Sequence, residues 1–144
     1  MTDEDDDEQL RLVDALAQTA FAITSVLNRI AADNDLSITQ LRLLGVLRGR
    51  RPQMSPLATH LGLEKSTLSG LVERAERRGL VQRGRSATDG RAVEVFLSAE
   101  GEALAARVQG EVRAAVLPDT LALTAGQRRT LRQLLEQSLG TAPL

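Results

Sequence analysis

The residues with the clearest chemical potential are the basic side chains between positions 42 and 91. Eleven basic and four acidic residues lie there, a local excess of seven positive charges in a chain whose formal net charge is -1. The basic residues are Arg42, Arg48, Arg50, Arg51, Lys65, Arg74, Arg77, Arg78, Arg83, Arg85 and Arg91. Such an excess favours a polyanionic partner, although arginines on solvated helix faces are a common alternative.

Small hydroxyl side chains stand among these bases on one face of a predicted helix. The polar face carries Lys65, Ser66, Thr67, Ser69, Gly70 and Arg74, and the opposite face carries Leu68, Leu71, Val72 and Ala75. Serine and threonine can donate to phosphates or base edges at close range, and arginine can pair bidentately with guanine. An ordinary solvated face would more often interleave glutamate with lysine. The pattern therefore favours DNA as the partner.

The inventory of catalytic and metal-binding residues argues against an enzyme. The chain has no cysteine, no tyrosine and a single histidine, His60. It also lacks a glycine-rich phosphate loop and a carboxylate pair embedded in an apolar pattern. We therefore expect no catalytic site, no metal and no cofactor, and a disulfide framework is impossible.

Several helices must position the basic region. Apolar residues form two stripes between positions 10 and 30, which predicts a helix with two apolar faces. One face would pack within the subunit and the other against a partner. Ser37 and Gln40 have capping-box spacing and open the next helix. Ser55 and Pro56 predict an N-cap and first helical residue, and Gly62 ends that short helix. The helix with the basic face follows, over residues 64–78.

The second half of the chain begins with a predicted hairpin. Alternating Val93, Val95 and Leu97 follow a polar loop at residues 86–90, which predicts a small antiparallel wing over residues 80–98. Ser98 caps a long helix that we expect to be interrupted at Pro118. Thr124 with Gln127 forms another capping box that opens a last helix.

The length and composition predict one domain with an acidic tail. Six of the first eight residues are acidic, and we expect residues 1–8 to be disordered and residues 9–144 to form a single domain. No run approaches the roughly 20 consecutive apolar residues of a membrane span, and the acidic start is unlike a secretory signal. The expected location is the cytoplasm, without a membrane partner.

The segment from Leu63 to Gly101 resembles the MarR-type regulators, named for multiple antibiotic resistance. Its Ser-Thr-x-Ser run, Arg-Arg-Gly-Leu-Val helix exit and Asp-x-Arg-Ala wing fall at that family's spacings. The resemblance extends over nearly the whole chain. It implies a mainly α fold with a two- or three-stranded antiparallel β wing, in which a winged helix-turn-helix is flanked by terminal dimerisation helices. Residues 37–98 would form the DNA-binding lobe, and residues 9–33 and 99–140 would form the dimerisation helices.

The resemblance also implies roles for individual residues. Asp89 would orient Arg91 at the wing tip, and Arg91 would reach into or beside the minor groove. Arg83 and Arg85 alternate on a strand, where they are either phosphate contacts or charges that protect an edge strand from aggregation. The candidate DNA-contacting residues are Lys65, Ser66, Thr67, Ser69, Gly70, Arg74, Arg77, Arg83, Arg85, Asp89 and Arg91.

The sequence departs from the family at two positions. Gly70 stands where a larger polar residue is usual, and Gly90 replaces a frequent second wing arginine, so both changes remove DNA contacts. We therefore expect specificity to rest on Ser66, Ser69 and Arg74. These losses also leave an alternative, a winged-helix adaptor for protein interaction with weak or lost DNA binding.

The resemblance further implies a homodimeric repressor that binds double-stranded DNA and is released by a small-molecule effector. Phe21 and Phe96 are the only aromatic residues. An effector pocket would therefore be lined by aliphatic side chains with an occasional arginine. The identity of the effector does not follow from the sequence.

Overall fold

The computed structural model describes residues 2–120, 122–140 and 144, without the side chains of residues 119 and 120. Six helices and one two-stranded antiparallel sheet are present in these residues, as the sequence predicts. The elements are α1 (Asp3–Asp33), α2 (Ile38–Leu47), α3 (Met54–Leu61), α4 (Lys65–Arg77), β1 (Val81–Arg85), β2 (Val93–Leu97), α5 (Ala99–Thr120) and α6 (Ala125–Leu139).

The tail over residues 1–8 is predicted to be disordered, but α1 begins at Asp3, so the prediction is wrong from Asp3 onward, and Met1 lies outside the described residues. The first turn of α1 carries Asp3, Glu4, Asp5 and Asp6, whose negative charges stabilise the positive end of the helix dipole. Asp7 also forms an ion pair with Arg11 one turn later, at 2.8 Å. The acidic run is therefore the start of a 31-residue helix rather than an arm without regular structure.

Most of α1 is exposed, and only Ile30 and Ala31 near its end are buried. Among the described helices, α1 is the one whose length and composition would allow it to cross a bilayer. A polar stripe nevertheless follows the helix through Asp7, Arg11 and Asp14 and continues through Gln18, Ser25 and Arg29. No described residue of the chain covers the remaining apolar surface of α1.

Local capping signals set the start of α2 and the end of α3. The Ser37 hydroxyl accepts from the Gln40 N–H at 3.1 Å, and the Gln40 side chain accepts from the Ser37 N–H at 3.0 Å, which confirms the capping box. Gly62 ends α3 in the left-handed conformation, with φ of 66°.

The predicted start of α3 at Pro56 is wrong by two residues. The helix begins at Met54, and Gln53 rather than Ser55 occupies the N-cap position. Gln53 also forms an isolated β-bridge with Glu94, so pairing with the wing sets where the helix can begin. Pro56 still lies in the first turn, where its missing N–H leaves no helical hydrogen bond unmade.

The wing is a hairpin with Val81 opposite Leu97 and Arg85 opposite Val93. Val81, Val95 and Leu97 are buried and join the core beneath α4. That core is built from side chains with almost no exposed surface, namely Leu43, Leu44, Leu47, Leu57, Leu68, Val72 and Val95. The single core joins the lobe to α5 through Leu104, Ala105 and Val108.

Helix α5 packs against α1 and α2. The Ser98 hydroxyl accepts from the Gly101 N–H at 3.0 Å, which confirms the predicted cap, and donates to the Gly79 carbonyl at 2.6 Å. Gly101 is required there, because a Cβ would lie 2.0 Å from the Leu80 carbonyl oxygen. Helix α5 runs past Pro118 to Thr120, so the predicted interruption at Pro118 is wrong.

Helix α6 follows a second capping box at Thr124 and Gln127, as predicted. None of its residues is buried. Its leucines are exposed to solvent in the single chain, with Leu139 71% exposed. Like α1, this helix presents an apolar surface without a cover.

Candidate nucleic-acid interface

Helix α4 separates its polar and apolar residues as the sequence predicts. Leu68, Leu71, Val72 and Ala75 are buried, whereas Lys65, Ser66, Thr67 and Arg74 are exposed. Ser69 and Gly70 are partly exposed beside them. The helix is thus fixed to the core along one side and offers a small, hydroxyl-rich surface with a base at each end on the other.

Gly70 does more than remove a contact from this surface. A Cβ placed on Gly70 would lie 3.3 Å from the Nη1 atom of Arg74, one helical turn later. The Arg74 side chain therefore folds back along α4, and its guanidinium occupies the space above Gly70. The sequence places both residues on one face but does not determine which way the arginine turns.

The wing tip is held by a serine that sequence reasoning missed. The hydroxyl of the buried Ser86 accepts from the N–H groups of Thr88, at 3.3 Å, and Asp89, at 3.2 Å. Asp89 in turn accepts from the backbone N–H of Arg91 at 3.1 Å. Asp89 thus shapes the backbone at Arg91 rather than pairing with its guanidinium. A serine opening a Ser-x-x-Asp loop is a local turn signal that could have been found in the sequence.

The arginines of the basic region divide into two groups. Five of the eleven basic side chains donate within the protein. Arg42 donates to the Leu61 carbonyl, Arg50 to the Val46 carbonyl, Arg51 to Glu94, Arg78 to the Asp35 carbonyl and Arg83 to Glu76. In the part of the chain that the structure describes, Arg48, Lys65, Arg74, Arg77, Arg85 and Arg91 make no such bond.

Arg83 was a candidate phosphate contact, and the structure gives it a protein partner. Its Nε lies 2.8 Å from a carboxylate oxygen of Glu76 on α4, and about a third of each side chain is exposed. A pair of this exposure contributes little free energy, but it links strand β1 of the wing to α4. Arg85, two residues on, is exposed, and no described residue pairs with it.

Glu94 on β2 forms a second ion pair of the wing, with Arg51 of the loop before α3. Hydrogen bonds from Arg51 and then from Ser86 hold the pKa of the Glu94 carboxyl below its usual value, because both stabilise the charged form. Sequence reasoning placed Arg51 in a basic loop and did not anticipate this pair.

The predicted residues lie on α4 and on the wing, two elements that the Arg83–Glu76 pair joins. Lys65, Ser66, Thr67, Ser69 and Arg74 lie on α4 and Arg77 at its last turn. Arg85 ends β1, and Arg91 follows the turn that Asp89 shapes. In the described residues, no group of three or more histidine or acidic side chains is arranged to hold a metal ion.

Comparisons with known proteins agree with this architecture. The sequence profile of the MarR family matches residues 34–92. The homoprotocatechuate degradative operon repressor of Escherichia coli is 31% identical over 125 residues, covering 85% of this chain and 84% of the repressor. An HTH-type transcriptional repressor of Mycobacterium tuberculosis is 35% identical over 81 residues, or 56% of this chain. That match spans only 58% of the mycobacterial protein's length.

Solved structures show the same fold. The crystal structure of NadR in complex with 4-hydroxyphenylacetate has a TM-score of 0.78 and 25% identity, covering 88% of this chain and 90% of NadR. A mutant MarR from Escherichia coli, complexed with operator DNA, has a TM-score of 0.71 and 24% identity. That match covers 92% of this chain and 96% of the MarR chain.

Proposed function

The chain belongs to the MarR family, and from that premise we propose that it is a sequence-specific DNA-binding transcriptional repressor rather than an enzyme. The observation that carries the proposal is the exposed face of α4, where hydroxyl groups and unpaired bases lie opposite a fully buried apolar side. Such a protein would act in the cytoplasm, where the DNA is.

In this proposal α4 enters the major groove and the wing lies beside the neighbouring minor groove. Ser66, Ser69 and Arg74 contact base edges, since they lie on the exposed side and are not used elsewhere. Lys65, Thr67 and Arg77 contact phosphates at the ends of the helix. Arg85 and Arg91 add the charge contacts of the wing, whereas Arg83 acts mainly through Glu76.

We propose that two chains form a homodimer through α1, α5 and α6. The exposed apolar side chains of the terminal helices support this assignment. They are Leu10, Leu12, Val13, Leu16, Phe21, Leu131, Leu134, Leu135 and Leu139. A second copy of the chain is a better cover than a membrane, because charged residues such as Arg11, Asp14 and Arg29 would be costly in the bilayer. A two-fold dimer predicts a pseudo-palindromic site with half-sites about 10 base pairs apart.

We further propose that a small aromatic acid is the effector. A cavity of about 210 Å³ lies between α1, α2 and α5, with Leu27, Leu44 and Val108 among its apolar lining. Arg48, one of the unpaired bases, and Gln109 supply the polar groups. The lining is aliphatic with a single arginine, as the sequence predicts for a pocket in this chain. The NadR complex with 4-hydroxyphenylacetate supports the choice of ligand class.

Fluorescence anisotropy with a duplex from upstream of the protein's own gene tests the proposal. The expected result is binding at least roughly a thousand-fold tighter than to a shuffled duplex of the same composition at physiological salt. Equal affinity for both duplexes would remove sequence specificity from the proposal. Failure to bind either duplex at low salt would favour the adaptor alternative.

A further inference from the structure

Arg51 belongs to the basic loop between α2 and α3, but its charge is used inside the protein. Its guanidinium carbon lies 3.7 Å from the centroid of the Phe96 ring. Its Nε donates to the Glu94 carboxylate at 2.9 Å. Both partners are on β2, so stacking on a ring and a charge-assisted hydrogen bond join the loop to the wing.

Gly84 makes this arrangement possible from the other strand. It lies directly opposite Glu94 in the hairpin. A Cβ on Gly84 would sit 3.0 Å from Cε1 of Phe96 and 3.7 Å from Nη2 of Arg51. The absence of a side chain therefore lets the ring and the guanidinium lie against the backbone of β1. The ring occupies the space that a side chain on β1 would fill.

Backbone contacts join the loop and the wing at the same place. The N–H of Val95 donates to the Pro52 carbonyl at 2.8 Å, and Gln53 pairs with Glu94. The base of the wing is thereby held to the loop that precedes α3. The wing tip at residues 86–92 extends beyond this attachment, so small rotations at the base become larger displacements at Arg91.

We infer that Arg51, Phe96 and Gly84 form a wing anchor, a set of positioning residues that orients the wing for DNA without contacting the DNA. The inference deepens the proposed function and rests on it. An arginine that contacts phosphate releases counterions on binding, whereas an arginine that only orients the wing does not. The two roles therefore differ in the salt dependence of binding.

The first test measures the affinity of Arg51→Ala, Phe96→Leu and the double variant for the same duplex across a salt series. Each single variant is expected to weaken binding about five-fold at every salt concentration, with the wild-type slope of log Kd against log salt. The double variant should lose little more than Arg51→Ala alone, since Arg51→Ala already removes the stacking on Phe96 as well as the bond to Glu94. Arg91→Ala is the comparison, because loss of a true charge contact lowers the slope by about 0.9.

The second test needs no DNA, so it separates failure of the anchor from failure of the proposed function. Hydrogen exchange of a peptide containing Val95 should be about five-fold faster in Arg51→Ala and in Phe96→Leu, and unchanged in Arg91→Ala. A wild-type protein that binds no DNA would overturn the proposed function, while the exchange result would still decide whether the anchor exists. A slope lowered by about one in Arg51→Ala would make Arg51 a phosphate contact and overturn the inference. Unchanged affinity together with unchanged exchange would overturn it as well.

Discussion

The guanidinium of Arg74 lies above Gly70, close enough that a Cβ at position 70 would be 3.3 Å from its Nη1 atom. Gly70 is partly exposed in the middle of the face that we propose to enter the major groove. A glycine at the centre of a helix costs stability, so its presence here calls for a compensating function. In the proposed complex, the space above Gly70 would give Arg74 access to bases that a residue at position 70 would otherwise contact.

Gly70→Ala is therefore expected to separate stability from specificity. Alanine should raise the free energy of unfolding by about 0.5–1 kcal/mol, because it favours the helix. It should also displace the guanidinium and reduce discrimination between the operator and single-base variants. Arg74→Ala should relax the same preference, by about 1–3 kcal/mol at the base pair that Arg74 contacts. Thermal unfolding and anisotropy with a set of variant duplexes measure both effects.

Gly110→Ala is the matched control for this substitution. Gly110 is another helical glycine, more exposed than Gly70, and a Cβ there would meet nothing within 4 Å. The Gly110→Ala variant should show a similar increase in the free energy of unfolding without a change in base preference. If Gly70→Ala discriminated between duplexes as well as the control does, Arg74 would not depend on the space at position 70.

The wing tip provides a second prediction, which separates charge from shape. Arg91→Ala should weaken binding to all sequences and lower the salt slope by about 0.9, because a charge contact is lost. Asp89→Ala should weaken binding while the slope is retained, since Asp89 supports the Arg91 backbone through its N–H. Anisotropy across a salt series measures both variants. An unchanged slope in Arg91→Ala would contradict the assignment of this arginine to DNA.

The dimer is tested most directly on α6. Leu131 and Leu135 lie one turn apart and are exposed in the single chain. The double change Leu131→Arg and Leu135→Arg should leave the protomer folded and weaken dimerisation at least about a hundred-fold, because several leucine side chains lose their burial. Light scattering should then report monomers, and anisotropy should show little specific affinity for the operator. Arg132→Ala, which removes the exposed ion pair to Glu136, is the control and should remain dimeric. A dimeric double variant would place the interface elsewhere.

The cavity beside Arg48 leads to a prediction about effectors. We expect 4-hydroxyphenylacetate, used as the probe, to bind there and to weaken operator binding. At a hundred-fold excess over its Kd it should stabilise the protein by about 2.7 kcal/mol, visible as an increase in Tm. Arg48→Gln should abolish most of this increase in Tm, because the carboxylate of 4-hydroxyphenylacetate loses its cationic partner. Phenol, which lacks the carboxylate, is the control ligand. An increase in Tm that Arg48→Gln leaves intact would rule out Arg48 as the carboxylate's partner.

Much of the fold follows from local sequence. The capping boxes at Ser37 and Thr124 and the left-handed glycine at position 62 each depend on residues within one turn. The two faces of α4 follow from helical periodicity alone, which is why the basic surface could be predicted. The acidic start was misjudged, because its composition suggests disorder while its position in the first turn favours a helix.

The division of the arginines into those available for DNA and those used within the protein was decided by tertiary structure. Arg51 and Glu94 are 43 residues apart, and so are Arg78 and Asp35. Their meeting depends on how the loop, the wing and α4 pack around one core, which residue spacing does not specify. Sequence alone determined that the region is basic and lies on a helix and a wing. Only packing determined which of its charges remain free, because a guanidinium is committed by whichever partner the fold brings within a few ångströms of it.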